Sequence, residues 1–84
     1  MKINKSNFQK LPEGEKTSVV LEQGKKISTR RVDNYLVSLY TMGDFMVELW
    51  YHARNNKIEQ VEIVEDHSII DKYIDEEVNK KKTK

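Results

Sequence analysis

Between Ile27 and Glu65 apolar and polar residues alternate with a period of two, and on both flanks the spacing turns helical. Period two is what a sheet imposes, because successive side chains point to opposite faces. Turn-forming residues cut this stretch into four strands. Asp33-Asn34 separates Ile27–Val32 from Tyr35–Thr41, and Gly43-Asp44 separates the latter from Phe45–Ala53. Arg54-Asn55-Asn56 then leads into Ile58–Glu65. Asp and Asn tolerate positive φ, and Gly at the first central position suits a type II′ hairpin turn. Four strands in sequence order make an antiparallel meander.

The register follows from which pairing groups the apolar side chains. Two-residue turns at 33–34 and 43–44 set Thr29 opposite Ser38 and Ser38 opposite Leu49. One face then collects Ile27, Leu36, Tyr40, Val47, Leu49 and Tyr51. A three-residue turn at 54–56 brings Val61 opposite Leu49 and Ile63 opposite Val47. A two-residue turn would set Glu62 on that apolar face instead, where an unpaired carboxylate costs several kcal/mol.

The flanks read as helices. Over about 12–23, Pro12 sits in a first turn, Glu13 and Glu15 suit the positive helix end, and Gly24 offers a left-handed stop. Gly14 and the β-branched Thr17, Val19 and Val20 would also suit a short strand. The agreement of start and stop signals favours the helix. A second helix is expected over about 67–78, capped by Asp66 or Ser68, with Ile70, Tyr73, Ile74 and Val78 on one stripe. It is expected to lie across the apolar face of the sheet. The fold class is therefore α+β, one domain over residues 1–79, with a frayed lysine-rich tail at 80–84.

Composition narrows the chemistry. Apolar residues make up 37% and charged residues 35%, and 84 residues give a small core. Without cysteine there is no disulfide, thiolate metal site or cysteine nucleophile. No run approaches the roughly 20 apolar residues of a membrane span, and the start lacks a signal-peptide core, so a cytoplasmic protein is expected. The net charge of +1 conceals a segregation: +5 over residues 1–31, −8 over 32–79 and +4 over 80–84. Solvated faces are the ordinary reading, and contact between opposite charges of two copies is the sharper one.

The second face of the sheet holds Arg30, Val32, Tyr35, Val37, Leu39, Met46, Glu48, Trp50 and His52, then Ile58, Gln60, Glu62 and Val64 from the last strand. It is too apolar for a plain solvent face and too polar for a plain core. Cover by residues 8–24 of the first helical region is the leading expectation. A partner or second copy comes next, since Trp, Tyr, Met and Arg are the residues of interface centres. Arg30, Val37, Leu39, Glu48, Trp50 and His52 are the candidate interaction face. Glu48 and Glu62, opposite each other with His52 nearby, could share a proton or hold a divalent cation. Nothing else supports that, and no catalytic, metal or cofactor site is assigned. The serines lie in no nucleophile elbow, and the three glycines build no phosphate loop. Nucleic-acid binding through Lys25, Lys26, Arg30, Arg31 and the terminal lysines is disfavoured by the acidic centre.

The string LYTMGDFMVELWY at Leu39–Tyr51 resembles a group of small uncharacterised bacterial proteins. The matching residues are Gly24, Leu39-Tyr40, Gly43-Asp44-Phe45, Val47-Glu48, Tyr51, Ile58, Val61 and Tyr73. They are turn and core residues, so the resemblance implies an α+β domain without an assigned activity, and the basic end departs from it. The function expected is a non-enzymatic protein-interaction domain that self-associates through the second face or the last strand. The alternative is a small-ligand site at Trp50, with Arg30 as anion contact and Glu48 as polar anchor.

Overall fold

A computed structural model of the chain describes residues 3–65 together with Ser68, Asp71 and Tyr73. Two helices lead: α1 at Lys5–Gln9 and α2 at Glu13–Gln23. Four strands follow, β1 (Lys25–Val32), β2 (Tyr35–Thr41), β3 (Met46–His52) and β4 (Lys57–Ile63). They form one antiparallel sheet in the order β1-β2-β3-β4, the expected meander, within an α+β fold. The helix expected over about 67–78 and the tail at 80–84 lie outside the described residues, apart from Ser68, Asp71 and Tyr73.

The hairpins close where the turn residues placed them. Val32 pairs with Tyr35 around Asp33-Asn34, with Asp33 at φ 53°. Gly43 takes φ 104°, and Met42 N–H donates to Phe45 O at 2.7 Å. Ser38 faces Leu49, Leu49 faces Val61 and Val47 faces Ile63, as the apolar pattern requires.

Two β-bulges change the details. In β1, Lys26 rather than Ile27 pairs with Tyr40, and the unpaired Ile27 is 53% exposed, off the face expected to bury it. In β4, Tyr51 faces Ile58 while Trp50 faces Gln60, leaving Glu59 as the extra residue. The last loop is thus four residues, 53–56, plus a bulge, where a three-residue turn was expected. A bulge inserts one residue and resets which face its neighbours use. Ile58 accordingly joins the core instead of the second face. Burying an isoleucine is worth about 1.5–3 kcal/mol, a driving force for that irregularity.

The helices lie on the first face, where Phe8 and Val20 pack with Met42, Phe45, Val47, Leu49 and Val61. This overturns the expectation that residues 8–24 cover the second face. Val47, Leu49 and Val61 stand on the first face, so a helix bearing Val20 buries more apolar area there. The five-residue α1 is too short to hold itself. Asn4 caps it by accepting from Asn7 N–H at 2.8 Å, and fully buried Phe8 fixes it, its ring 5.5 Å from that of Phe45. Gly24 ends α2 in extended backbone, φ −82°, not the left-handed stop expected. Its role is close approach: a Cβ there would sit 2.7 Å from Val20 O and 3.0 Å from Met42 Sδ.

Candidate functional site

With α1 and α2 on the first face, the second face is built on other groups. Arg30, Val37 and Trp50 share one row across β1, β2 and β3, and Leu39, Glu48 and Glu62 share the next across β2, β3 and β4. Val37, Leu39 and Glu48 are all essentially closed to solvent, at 0%, 1% and 1% exposure. The buried Glu48 carboxyl has two donors on one oxygen. Arg30 Nη2 donates to Glu48 Oε2 at 3.3 Å, and Tyr73 Oη donates to the same oxygen at 2.8 Å. The Arg30 guanidinium lies 5.3 Å from the Tyr73 ring centre and 5.8 Å from that of Trp50, within reach of both π faces. Tyr73 is itself buried. Burial foremost, then its hydrogen bond to Glu48, pushes its hydroxyl well above the usual tyrosine range. The apolar-stripe residue expected on the first face is therefore found on the second.

Arg30 Nε and Trp50 Nε1 are buried and have no hydrogen-bond partner among the described residues. A buried N–H without an acceptor costs about 1–3 kcal/mol.

Beyond this closed centre lies an aromatic cluster. The Tyr35 ring meets Trp50 edge-on at 5.5 Å and His52 at 4.9 Å. All three are half-buried. Tyr35 Oη donates to Glu59 Oε1 at 2.8 Å, and Asn55 Nδ2 donates to Glu59 Oε2 at 2.9 Å. Asn55 N–H donates to His52 Nδ1 at 3.1 Å, which leaves the ring proton of neutral His52 on Nε2. The hydrogen bonds from Asn55 and then Tyr35 hold the Glu59 carboxyl below its usual range, and the bond to Glu59 raises Tyr35. Sequence reading missed Glu59, because only the bulge turns it toward Tyr35.

Of the six candidate interaction residues, Val37, Leu39 and Glu48 are buried within the chain and the Arg30 side chain is 10% exposed. Trp50 and His52 remain accessible. Glu62 does stand opposite Glu48, but it points to solvent and accepts from Gln60 Nε2 at 2.7 Å. The two carboxyls thus belong to different networks. Among the described residues no three His, Asp or Glu side chains gather as a metal site. No described helix is long and apolar enough to cross a membrane.

No family model, curated protein or solved structure matches the chain. Function must be argued from the site alone.

The edges of the sheet complete the picture. Glu13 Oε2, from the first turn of α2, accepts from the Val61 backbone N–H at 3.2 Å, occupying a donor on edge strand β4. The Glu59 bulge interrupts the same edge, and β1 carries Lys25, Lys26 and its own bulge at the other. Charge, bulges and covering groups are how sheets avoid pairing with other chains.

Proposed function

We propose that this chain is a small non-enzymatic protein-interaction domain of the cytoplasm, using the aromatic end of the second sheet face. The observation that carries this is the contrast within one face. Val37, Leu39 and Glu48 are closed off, while Tyr35, Trp50 and His52 form a half-buried cluster joined edge to face. Tryptophan and tyrosine give large, rigid contact area and dominate interface centres.

Self-association is the partner we favour. Arg31 lines a shallow groove with Asp33, Asn34, Tyr35, Leu36 and Ala53 beside that cluster, and Glu59 lies on its other flank. A two-fold interface uses one patch twice, and the rings of Tyr35, Trp50 and His52 can pack against their own copies. The β4 edge is the weaker route, since Glu13 and the bulge obstruct strand addition. Sedimentation velocity over a range of concentrations tests this. A dimer that Trp50→Ala and Tyr35→Ala weaken supports it, and a monomer at every concentration removes it.

A small-ligand site is the second reading, favoured by the unpartnered Arg30 Nε and Trp50 Nε1. These two donors suit a carbonyl or carboxylate oxygen, and Trp50 fluorescence would report its arrival. Glu48 is less suited to a ligand role, since Arg30 and Tyr73 already engage it. The C-terminal helix over about 67–78 and the likeness to small bacterial α+β proteins belong to the same proposal. Buried Tyr73 beside exposed Ser68 and Asp71 supports a helix with one apolar side.

A further inference from the structure

The two edges of the sheet are closed to different degrees. At β4 the Glu13 carboxylate already accepts from the Val61 N–H, and the Glu59 bulge breaks the edge. At β1 the bulge lies between Lys26 and Ser28, and beyond it five successive pairs with β2 run regularly from Ser28 to Val32. The hairpins show which way each backbone group points. Ala53 N–H donates to Asn34 O at 2.8 Å and Met42 N–H to Phe45 O at 2.7 Å, so the even-numbered positions along β2 bond toward β3. Bonding direction alternates along an antiparallel ladder, so Tyr35 and Val37 bond toward β1, where their partners are Val32 and Arg30. Thr29 and Arg31, on either side of Arg30, therefore turn N–H and C=O outward. Among the described residues no side chain or loop backbone is bonded to those groups.

The side chains along this open edge select what can join it. Lys25, Lys26, Ile27 and Arg31 are exposed, and among the described residues the three cations enter no ion pair. Lysines guard an edge against apolar and like-charged strands, and leave it open to an acidic one. A second copy laid edge to edge would set these cations against their own kind, a destabilising pairing. The glutamates of β4 in another copy have the right charge, but Glu13 and the bulge close that strand. A nucleic-acid backbone would meet the cations but carries no N–H for the outward carbonyls of Thr29 and Arg31. We propose that the β1 edge takes an extended acidic segment of a partner protein as a fifth strand, with carboxylates at Lys26 and Arg31 and an apolar side chain at Ile27. The proposal does not rest on self-association at the aromatic end.

The probe is an alternating glutamate-valine heptapeptide, titrated into the full-length protein while amide spectra are recorded. Strand addition predicts that the Thr29 and Arg31 amides shift and exchange with solvent about ten-fold more slowly, while Val61 is unchanged. The same peptide methylated at every backbone nitrogen keeps its charge, lacks N–H donors and should lose binding. Lys26→Glu with Arg31→Glu should weaken the glutamate-valine peptide about ten-fold and admit a lysine-valine heptapeptide instead. No binding at millimolar peptide, equal binding of the methylated peptide, or changes centred on Val61 overturns the proposal. Unchanged affinity in the charge-reversed variant overturns it as well. A single-stranded oligonucleotide that shifts the same amides and binds more tightly than the peptide assigns the edge to nucleic acid and overturns the acidic strand.

Discussion

Tyr73 donates its hydroxyl to Glu48 Oε2 at 2.8 Å across 25 residues of sequence, and Arg30 donates to the same oxygen at 3.3 Å. One buried carboxyl oxygen therefore joins the first strand, the third strand and the chain beyond the sheet. The second face closes at that oxygen, and the accessible Trp50 end begins beside it.

Replacing Tyr73 by Phe keeps the ring over Arg30 and deletes one donor to a buried carboxyl. The expected loss is about 1–3 kcal/mol, measured by urea unfolding. Tyr73→Ala should lose about 3–5 kcal/mol, since the ring and its cover go as well.

The same hydroxyl sets a response to alkali. Burial keeps folded Tyr73 protonated above its usual range, while an unfolded tyrosine ionises near about 10. The folded state binds the proton more tightly, so its advantage is complete below about pH 10 and declines as pH rises above it. Tyr73→Phe should flatten that part of the alkaline loss, read from unfolding midpoints at successive pH values.

The Arg30–Glu48 pair lies with side chains 10% and 2% exposed, so breaking it differs from removing it. Arg30→Met or Glu48→Leu alone strands one buried charge and should cost about 3–5 kcal/mol. The double replacement should recover only part of that, because no charge is left to solvate but the buried Tyr73 hydroxyl loses its acceptor. A double-mutant cycle measures the coupling.

The alternation of apolar residues specified the sheet order and the central pairings, because a slip of one residue would have turned Leu49 and Val61 outward. Bulges escaped the same reasoning. Ile27 and Ile58 obey the period-two pattern locally, and only three-dimensional packing shows which of them gains by breaking it. The choice of face for the helices was equally hidden: Phe8 and Val20 could have served either side. Within the candidate site, Trp50 and His52 were legible as neighbours from register alone. The closing of Glu48 was not, since Tyr73 lies in a segment whose helical stripe suited either face. Arg30 held the missed clue, for a cation among apolar residues needs a carboxylate and often an aromatic face.

Glycines 14 and 24 should behave oppositely. Nothing lies within 4 Å of a Cβ added at Gly14, inside α2, so Gly14→Ala should stabilise by about 0.5–1 kcal/mol through helix propensity. Gly24→Ala forces a methyl to 2.7 Å from Val20 O and 3.0 Å from Met42 Sδ, and should cost about 1–3 kcal/mol. Thermal unfolding of the two variants separates propensity from close approach.

Tyr73 docking onto Glu48 and Arg30 is the contact on which the account turns, and a nuclear Overhauser spectrum of the full-length protein tests it most directly. The account predicts cross-peaks between the Tyr73 ring and the Arg30 side chain, with the Arg30 side-chain protons shifted by the Tyr73 and Trp50 rings. Random-coil shifts for Tyr73 and no cross-peak to Arg30 would contradict it.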